Sequence, residues 1–277
     1  ACSLFSAVPL GNYSRAAETT ETAKDQSLDT TSAYQNLINT MKSATNSSLI
    51  LLMRSAPNQE GSFIETSQGA MFQLTSGDYL KNGWAKIKNQ IYYFDKNGYR
   101  INDVTNIYKS GYTVEVDRIN GVMTIYADAN RTIPVKTIRV SVGNPGTDTP
   151  TGRYKLTRYS RWQALMGPSW GQYGTHVDGA GQGGIFVHSI ACGSANSYNL
   201  PVSAYLKLGS PASHGCIRTC VADAKWVYEN CNGSTIYIFD GTYKSDEVFK
   251  GPLGRRAITP LRGIKNGGYY DPTDPAA

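Results

Sequence analysis

Histidine, cysteine and charge are all scarce in this chain of 277 residues, which has three histidines, five cysteines and 17% charged residues. Each scarcity excludes something. The cysteines contain no Cys-x-x-Cys pair and the histidines no His-x-x-x-His or HExxH spacing. A zinc site built from His176, His188, His214 and a cysteine therefore lacks the usual ligand spacing, and neither metal nor cofactor is expected. No stretch of about 18 apolar residues occurs, so no complete transmembrane helix is expected in the chain as given. Charges never run in blocks. Arg255-Arg256 and Lys86/Lys88 are the densest basic points, which argues against dedicated nucleic-acid binding.

What is present points outward. Lysine plus arginine number 27 against 21 acidic residues, a net charge of +6 that suits a polyanionic surface such as a bacterial wall. The 40% hydrophobic content excludes wholesale disorder and supports one large domain with something smaller beside it. Nineteen tyrosines and 28 glycines make a wet, β-rich composition that fits an exported protein. The first ten residues are apolar, and Ser14 and Ala16 occupy the −3 and −1 positions of a signal-peptidase site. They read as a signal-peptide remnant or as an ordinary apolar segment.

Residues 1–48 are expected to be this remnant followed by a disordered spacer, and 49–106 a small β module of short strands and turns. Within the module, 77–103 predicts a hairpin, Trp84 to Lys88 and Ile91 to Phe94 joined by Asn89-Gln90, with a turn at Asp95–Gly98 and aromatics exposed on one face. Gly83-Trp84, Tyr92-Tyr93-Phe94-Asp95 and Asn97-Gly98-Tyr99 resemble the aromatic repeat of choline- and glucan-binding surface proteins. That resemblance makes Trp84, Tyr92, Tyr93 and Phe94 candidates for binding a wall polymer. A structural hairpin is the other reading, because such cages are built from adjacent repeats and one copy supplies half.

From 107 to 241 a β-rich, catalytic-sized domain is expected, with strands at Thr113–Val116, Val122–Tyr126, Thr137–Val142, Tyr154–Leu156 and Thr235–Phe239. One helix, Val221–Asn230, is predicted, and 242–277 reads as a C-terminal extension packed on the domain or trailing from it. Chemistry concentrates just before that helix, in Ser213-His214-Gly215-Cys216-Ile217-Arg218. A cysteine at a helix entrance would find free backbone N–H groups and the positive helix end, both of which stabilise a thiolate and an oxyanion. A base must come from elsewhere. His188, in the apolar run Gly184-Ile-Phe-Val-His188-Ser189, makes the natural dyad with Cys216.

These motifs, with Val140-Ser-Val-Gly143 and Thr149-Pro-Thr-Gly152 upstream, resemble the L,D-transpeptidase (YkuD-like) catalytic domain. The resemblance implies a β sandwich or barrel with one main helix after the cysteine. It implies attack by Cys216 on a peptidoglycan stem tetrapeptide, loss of the terminal D-Ala and resolution of the thioester into a 3–3 cross-link. Such an enzyme serves peptidoglycan biosynthesis, cell-wall biogenesis and cell shape, and would be exported to the wall of a Gram-positive bacterium. An L,D-carboxypeptidase, or an enzyme attaching a protein lysine to peptidoglycan, would share every catalytic residue. The roles implied are His188 as base, the Ser189 carbonyl fixing its tautomer, the Gly215 and Cys216 amides as oxyanion hole, and His214, Arg218 and Ser213 as further site or substrate-binding residues. A non-enzymatic wall-binding protein is the reading from another class. One departure is the loop from Ser189 to Ala212, longer than the family commonly has.

Among the other cysteines, Cys192 follows His188 by four residues as Cys220 follows Cys216, so a Cys192–Cys220 disulfide is expected if the catalytic pair meets. Free buried thiols are the alternative. A Cys220–Cys231 bridge would have to span about 16 Å of helix, too far for a disulfide.

Overall fold

The computed structural model describes residues 50, 51, 53–105 and 111–277, which divide into two compact units. The signal-peptide remnant, the spacer expected over 1–48 and Cys2 lie outside the described residues. One unit takes in the described residues up to 105 together with 130–135, and the other takes in 111–129 and 136–277.

In the first unit, residues 50, 51, 53 and 54 are helical, where the apolar run had suggested a strand. Two hairpins follow, β1 (Gly61–Thr66) with β2 (Gly69–Leu74), and β3 (Gly83–Ile87) with β4 (Gln90–Phe94). Alternation along β2 turns Ala70, Phe72 and Leu74 inward. The β3–β4 turn is Lys88-Asn89, one residue earlier than expected, with Lys88 in the left-handed region at φ 54°. The Asp95–Gly98 turn forms as its residues dictate, with Asp95 Oδ1 accepting from the Asn97 and Tyr99 amides at 2.8 and 2.9 Å.

The four aromatics expected on an exposed face are instead buried, Trp84 at 2%, Tyr92 at 6%, Tyr93 at 5% and Phe94 at 0% exposure. Phe63 packs edge-on to Phe72 and Tyr92 at centroid distances of 5.0 and 5.5 Å, and Trp84 meets Tyr93 at 5.1 Å. The Arg100 guanidinium lies 5.0 Å from the Phe63 ring centroid. The aromatic density of this sequence thus makes a core, because a module this small has few other groups with enough apolar area to bury.

The second unit is built on an eight-stranded sheet ordered β11-β10-β9-β8-β12-β5-β6-β7. Its strands are β5 (Thr113–Asp117), β6 (Val122–Tyr126), β7 (Pro134–Arg139, of which 136–139 fall in this unit), β8 (Gly152–Leu165), β9 (Ser169–Asp178), β10 (Ile185–Ser189), β11 (Ile217–Thr219) and β12 (Thr235–Phe239). Val114, Val116, Ile125, Ile138, Val187 and Ile236 are all fully buried, each contributing about 1.5–3 kcal/mol of apolar burial. Ser141, just past β7, exchanges two 2.8 Å backbone bonds with Arg218 of β11. The two ends of the sheet are thereby joined, and the unit closes as a barrel with no long free edge there. The architecture is mostly β, as expected.

Helix α1 (Val202–Leu206) lies in the long loop after β10, and α2 (Val221–Asn230) buries Val221, Ala224 and Val227. The β8–β9 hairpin is much longer than the Tyr154–Leu156 strand expected. Its outer half mixes Arg, Ser, Gln and Ala with Tyr159 and Trp162 in no clean alternation, a pattern too polar to signal a buried strand. Residues 242–277 belong to this unit, carrying a 3₁₀ turn at Glu247–Phe249 and the short hairpin β13 (Ile264–Lys265) and β14 (Gly268–Tyr269).

Candidate active site

The loop Ser213–Cys216 is held from inside the protein. Ser213 is fully buried, its Oγ donating to the Cys216 carbonyl at 2.6 Å and accepting from the Gly215 amide at 3.1 Å. Gly215 sits at φ 117°, a conformation that favours glycine, and a Cβ there would stand 2.8 Å from Ile185 Cδ1, which would have to shift. Thr149 completes the clasp, accepting from the Gly143 amide at 2.9 Å and donating to the Gly215 carbonyl at 2.7 Å. The two upstream motifs therefore act on the cysteine loop directly.

Two sequence expectations are corrected here. Ser213 is engaged on both sides of its hydroxyl and sealed from solvent, so it braces the loop and does not bind substrate. The Gly215 N–H is already bonded to Ser213 Oγ and is not free to hold an oxyanion. A third correction concerns the helix. Cys216 precedes strand β11, and α2 starts only at Val221, where the first amides are capped by Asp271 and Thr273. The helix end does not serve Cys216. Burial pushes its thiol above the ordinary value of 9.0, against smaller opposing effects from the Phe186 backbone bond and the Arg218 charge.

His188 is fully buried on β10. Its ring rests on Gly171 of β9, where an added Cβ would stand 2.4 Å from Nδ1. Nδ1 lies 2.5 Å from the Ser189 carbonyl, and since a carbonyl only accepts, Nδ1 carries the proton. Nε2 is therefore the basic nitrogen, buried without a hydrogen-bond partner. Burial, then the Arg218 charge, lower the imidazole to about 3 despite the Ser189 bond, so it is neutral at pH 7. Thiol and imidazole rest as an uncharged pair, not as thiolate and imidazolium.

Strand pairing brings the two together. The parallel register places His188 beside Arg218 and Val187 beside Ile217, so Cys216 falls level with Phe186, one diagonal step from His188 on the same face. Cys216, His188, His214 and Arg218 all line a cleft of about 450 Å³, walled by Gln163, Met166 and Phe186 among others. His214 is exposed at its mouth. Arg218 Nη1 donates to the Ala212 carbonyl at 2.8 Å, bracing the loop. Ser189 stays behind the cleft, its Oγ accepting from the Gln172 amide at 2.8 Å. Gly171 and Gln172 had no visible signal in the sequence, since nothing in one glycine among 28 says that an imidazole lies on it.

The same register corrects the expected disulfide. Cys192, Cys216, Cys220 and Cys231 are all free. The expectation took His188 as level with Cys216, whereas His188 is level with Arg218, which puts Cys220 beside Ile190. Beyond Ile190 the chain turns away, and Cys192 exchanges two 2.8 Å backbone bonds with Trp170. The Cys220 thiol points to Asp223 Oδ2 at 3.2 Å.

A family model of the YkuD L,D-transpeptidase catalytic domain matches residues 111–250, half of the chain. The chain belongs to the L,D-transpeptidase family. Over 24 residues it is 75% identical to YciB of Bacillus subtilis (strain 168), itself assigned only provisionally to the L,D-transpeptidases; the match covers 9% of this chain and 12% of YciB. An L,D-transpeptidase of Mycobacterium tuberculosis H37Rv aligns in structure at 20% identity and a TM-score of 0.36, over 47% of this chain and 57% of that one. One from Stackebrandtia nassauensis aligns at 21% identity and 0.35, over 48% and 57%. The chain thus spans a small part of YciB and less than two thirds of these solved L,D-transpeptidases.

Proposed function

We propose that this L,D-transpeptidase is an exported, cysteine-dependent enzyme that forms 3–3 cross-links between peptidoglycan stems in the bacterial wall. The observation that carries the reading is the unpartnered Nε2 of a buried, neutral His188 on the same cleft as Cys216. Cys216 Sγ attacks the carbonyl of the third stem residue as Nε2 takes the thiol proton. Of the two amides expected to hold the oxyanion, that of Cys216 is left for the task, since the Gly215 amide is bonded to Ser213 Oγ. Collapse breaks the peptide bond, Nε2 returns the proton to the departing D-Ala amine, and a thioester remains. An amine of a second stem then attacks, gives its proton to Nε2, and the C–S bond breaks to restore the thiol. Because the pair rests neutral, the nucleophile forms only as the bond is made, which spares the buried site a standing charge.

The test is intact-mass spectrometry of the protein and of Cys216→Ala with a disaccharide-tetrapeptide, together with analysis of the released muropeptides. A thioester adduct that requires Cys216, with dimer as product, supports the proposal. Tripeptide alone makes the enzyme an L,D-carboxypeptidase, and a dimer formed equally by Cys216→Ala removes the cysteine from the mechanism.

A further inference from the structure

The chain beyond residue 250, where the family match ends, is bonded to α2, to the loop after β10 and to β9, the strand on which His188 rests. Asp271 Oδ2 accepts from the Val221 amide at 2.8 Å and Thr273 Oγ1 from the Ala222 amide at 3.0 Å, so this tail caps α2, whose own N-cap residue Cys220 makes no side-chain cap. The tail also packs on the long loop after β10. The Leu200 amide donates to the Tyr269 carbonyl at 3.0 Å, the Tyr205 hydroxyl to the Thr259 carbonyl at 2.9 Å, and Ile258 and Leu261 cover the cluster of Ile190, Leu200, Tyr205 and Leu208. The unusual loop and the tail are one co-packed feature.

From it a short chain of contacts leads to the base. Asp274, 6% exposed, accepts a 2.8 Å bond from Gln172 Nε2 of β9. The Gln172 amide donates to Ser189 Oγ at 2.8 Å, and the Ser189 carbonyl holds His188 Nδ1 at 2.5 Å. Gln172 directly follows Gly171, the floor on which the imidazole lies. The two oxygens of Asp274 are divided between tasks. Oδ1 accepts from the Ala276 amide at 2.9 Å and closes the tail's own turn, while Oδ2 is committed to β9. Closing the turn needs no second contact, and a carboxylate this buried is costly unless its partners are useful.

We infer that Asp274 is a positioning residue for catalysis: through Gln172 it fixes the part of β9 that seats and orients His188. This rests on the reading of His188 as the base. Asp274 touches no reacting atom. Its work is to hold Gly171 and the Gln172 amide where the imidazole cannot tilt, and a tilt of about 1 Å is enough to cost about a hundredfold in rate.

The test compares Asp274→Ala, Asp274→Asn, Ser189→Ala and the Asp274→Ala/Ser189→Ala double variant in the full chain. Acylation by the tetrapeptide is followed by mass, and the His188 Nδ1–H proton by NMR of protein labelled with ¹⁵N-histidine. Asp274→Ala is expected to lower kcat for acylation at least tenfold with little change in KM, and to shift or broaden the Nδ1–H resonance. Asp274→Asn, which still accepts from Gln172 Nε2, should stay within about threefold of the parent. The double variant should lose no more than the worse single variant, the non-additivity expected of one connected network. The inference is overturned if the resonance and the fold-corrected rate of Asp274→Ala match the parent, or if the two single losses simply add. If Asp274→Ala does not fold, Gln172→Met, which removes the Nε2 donor of the same bond, decides the matter: a shifted Nδ1–H resonance supports the inference and a parent-like one overturns it. An unmodified chain that forms no adduct at all sinks the proposed function, while the resonance still reports whether Asp274 positions His188.

Discussion

The two units differ in what they bury beyond aliphatic side chains. The first hides aromatic rings, with the half-buried Phe63 meeting Phe72, Tyr92 and Phe94, and its hairpins close over them. The second hides polar groups beside its cleft: His188, Ser189 and Ser213 are each at most 1% exposed. The contrast teaches where to look for chemistry. Aromatic surface is withdrawn from water at a gain, so its burial needs no function to explain it. A buried basic nitrogen with no partner is kept at a cost, and such costs collect at active sites.

The sharpest way to break this comparison is Cys216→Ala. It should abolish acylation, a loss beyond a thousandfold, while shifting the melting temperature little; the check is adduct formation by mass beside a thermal melt. In the first unit Phe94→Ala removes a fully buried ring and should cost about 3–5 kcal/mol by denaturant titration. If it costs under about 1 kcal/mol, the aromatics are not that unit's core. Gly171→Ala forces a methyl against the imidazole and should lower kcat/KM about a hundredfold, with the fold preserved by circular dichroism.

Smaller effects come from pH. His188 titrates at about 3 when folded and near 6.5 when unfolded, so between those values the unfolded chain binds the extra proton. Its contribution to stability is present above pH 6.5 and is lost as pH falls toward 3, and His188→Gln should flatten the melting temperature against pH across that window. Glu247 acts further down. Burial raises its carboxyl, but Arg255, Lys250 and Arg139 outweigh that and hold it at about 2, so its contribution is lost only as pH falls from 4.5 toward 2. Alkylation of Cys216 by iodoacetamide should keep accelerating past pH 9, since burial raises this thiol. A plateau below pH 8 would mean a standing thiolate and would overturn the neutral pair.

Much of the second unit could be read in advance because its signals are local. Val122–Tyr126, Thr235–Phe239 and helix Val221–Asn230 lie where apolar period and stop residues place them. The strand carrying His188 was marked by its apolar run, and Cys216 by the glycine and histidine before it. The long β8–β9 hairpin was not legible, since its outer residues neither alternate cleanly nor bury. Nor was the fate of the first unit's aromatics. A hairpin with rings on it looks alike whether solvent or another hairpin covers the rings, and only the packing of β1 and β2 against β4 decides between them.

The sequence by itself determined which residue types could do the chemistry and the order in which they occur. Strand, turn and helix propensities act over a few residues, so a strand ending in His188 and a tight glycine turn before Cys216 were written locally. Register, burial and partnership were decided only by tertiary structure. A parallel pairing in which His188 lies beside Arg218, not Cys216, separates the cysteines expected to bond. Burial raises the Cys216 thiol and lowers the His188 imidazole, and Asp274, some ninety residues along the chain from His188, comes to accept from Gln172 of the neighbouring strand. These depend on which surfaces meet when the barrel closes, a free energy summed over contacts distant in sequence that no single segment encodes.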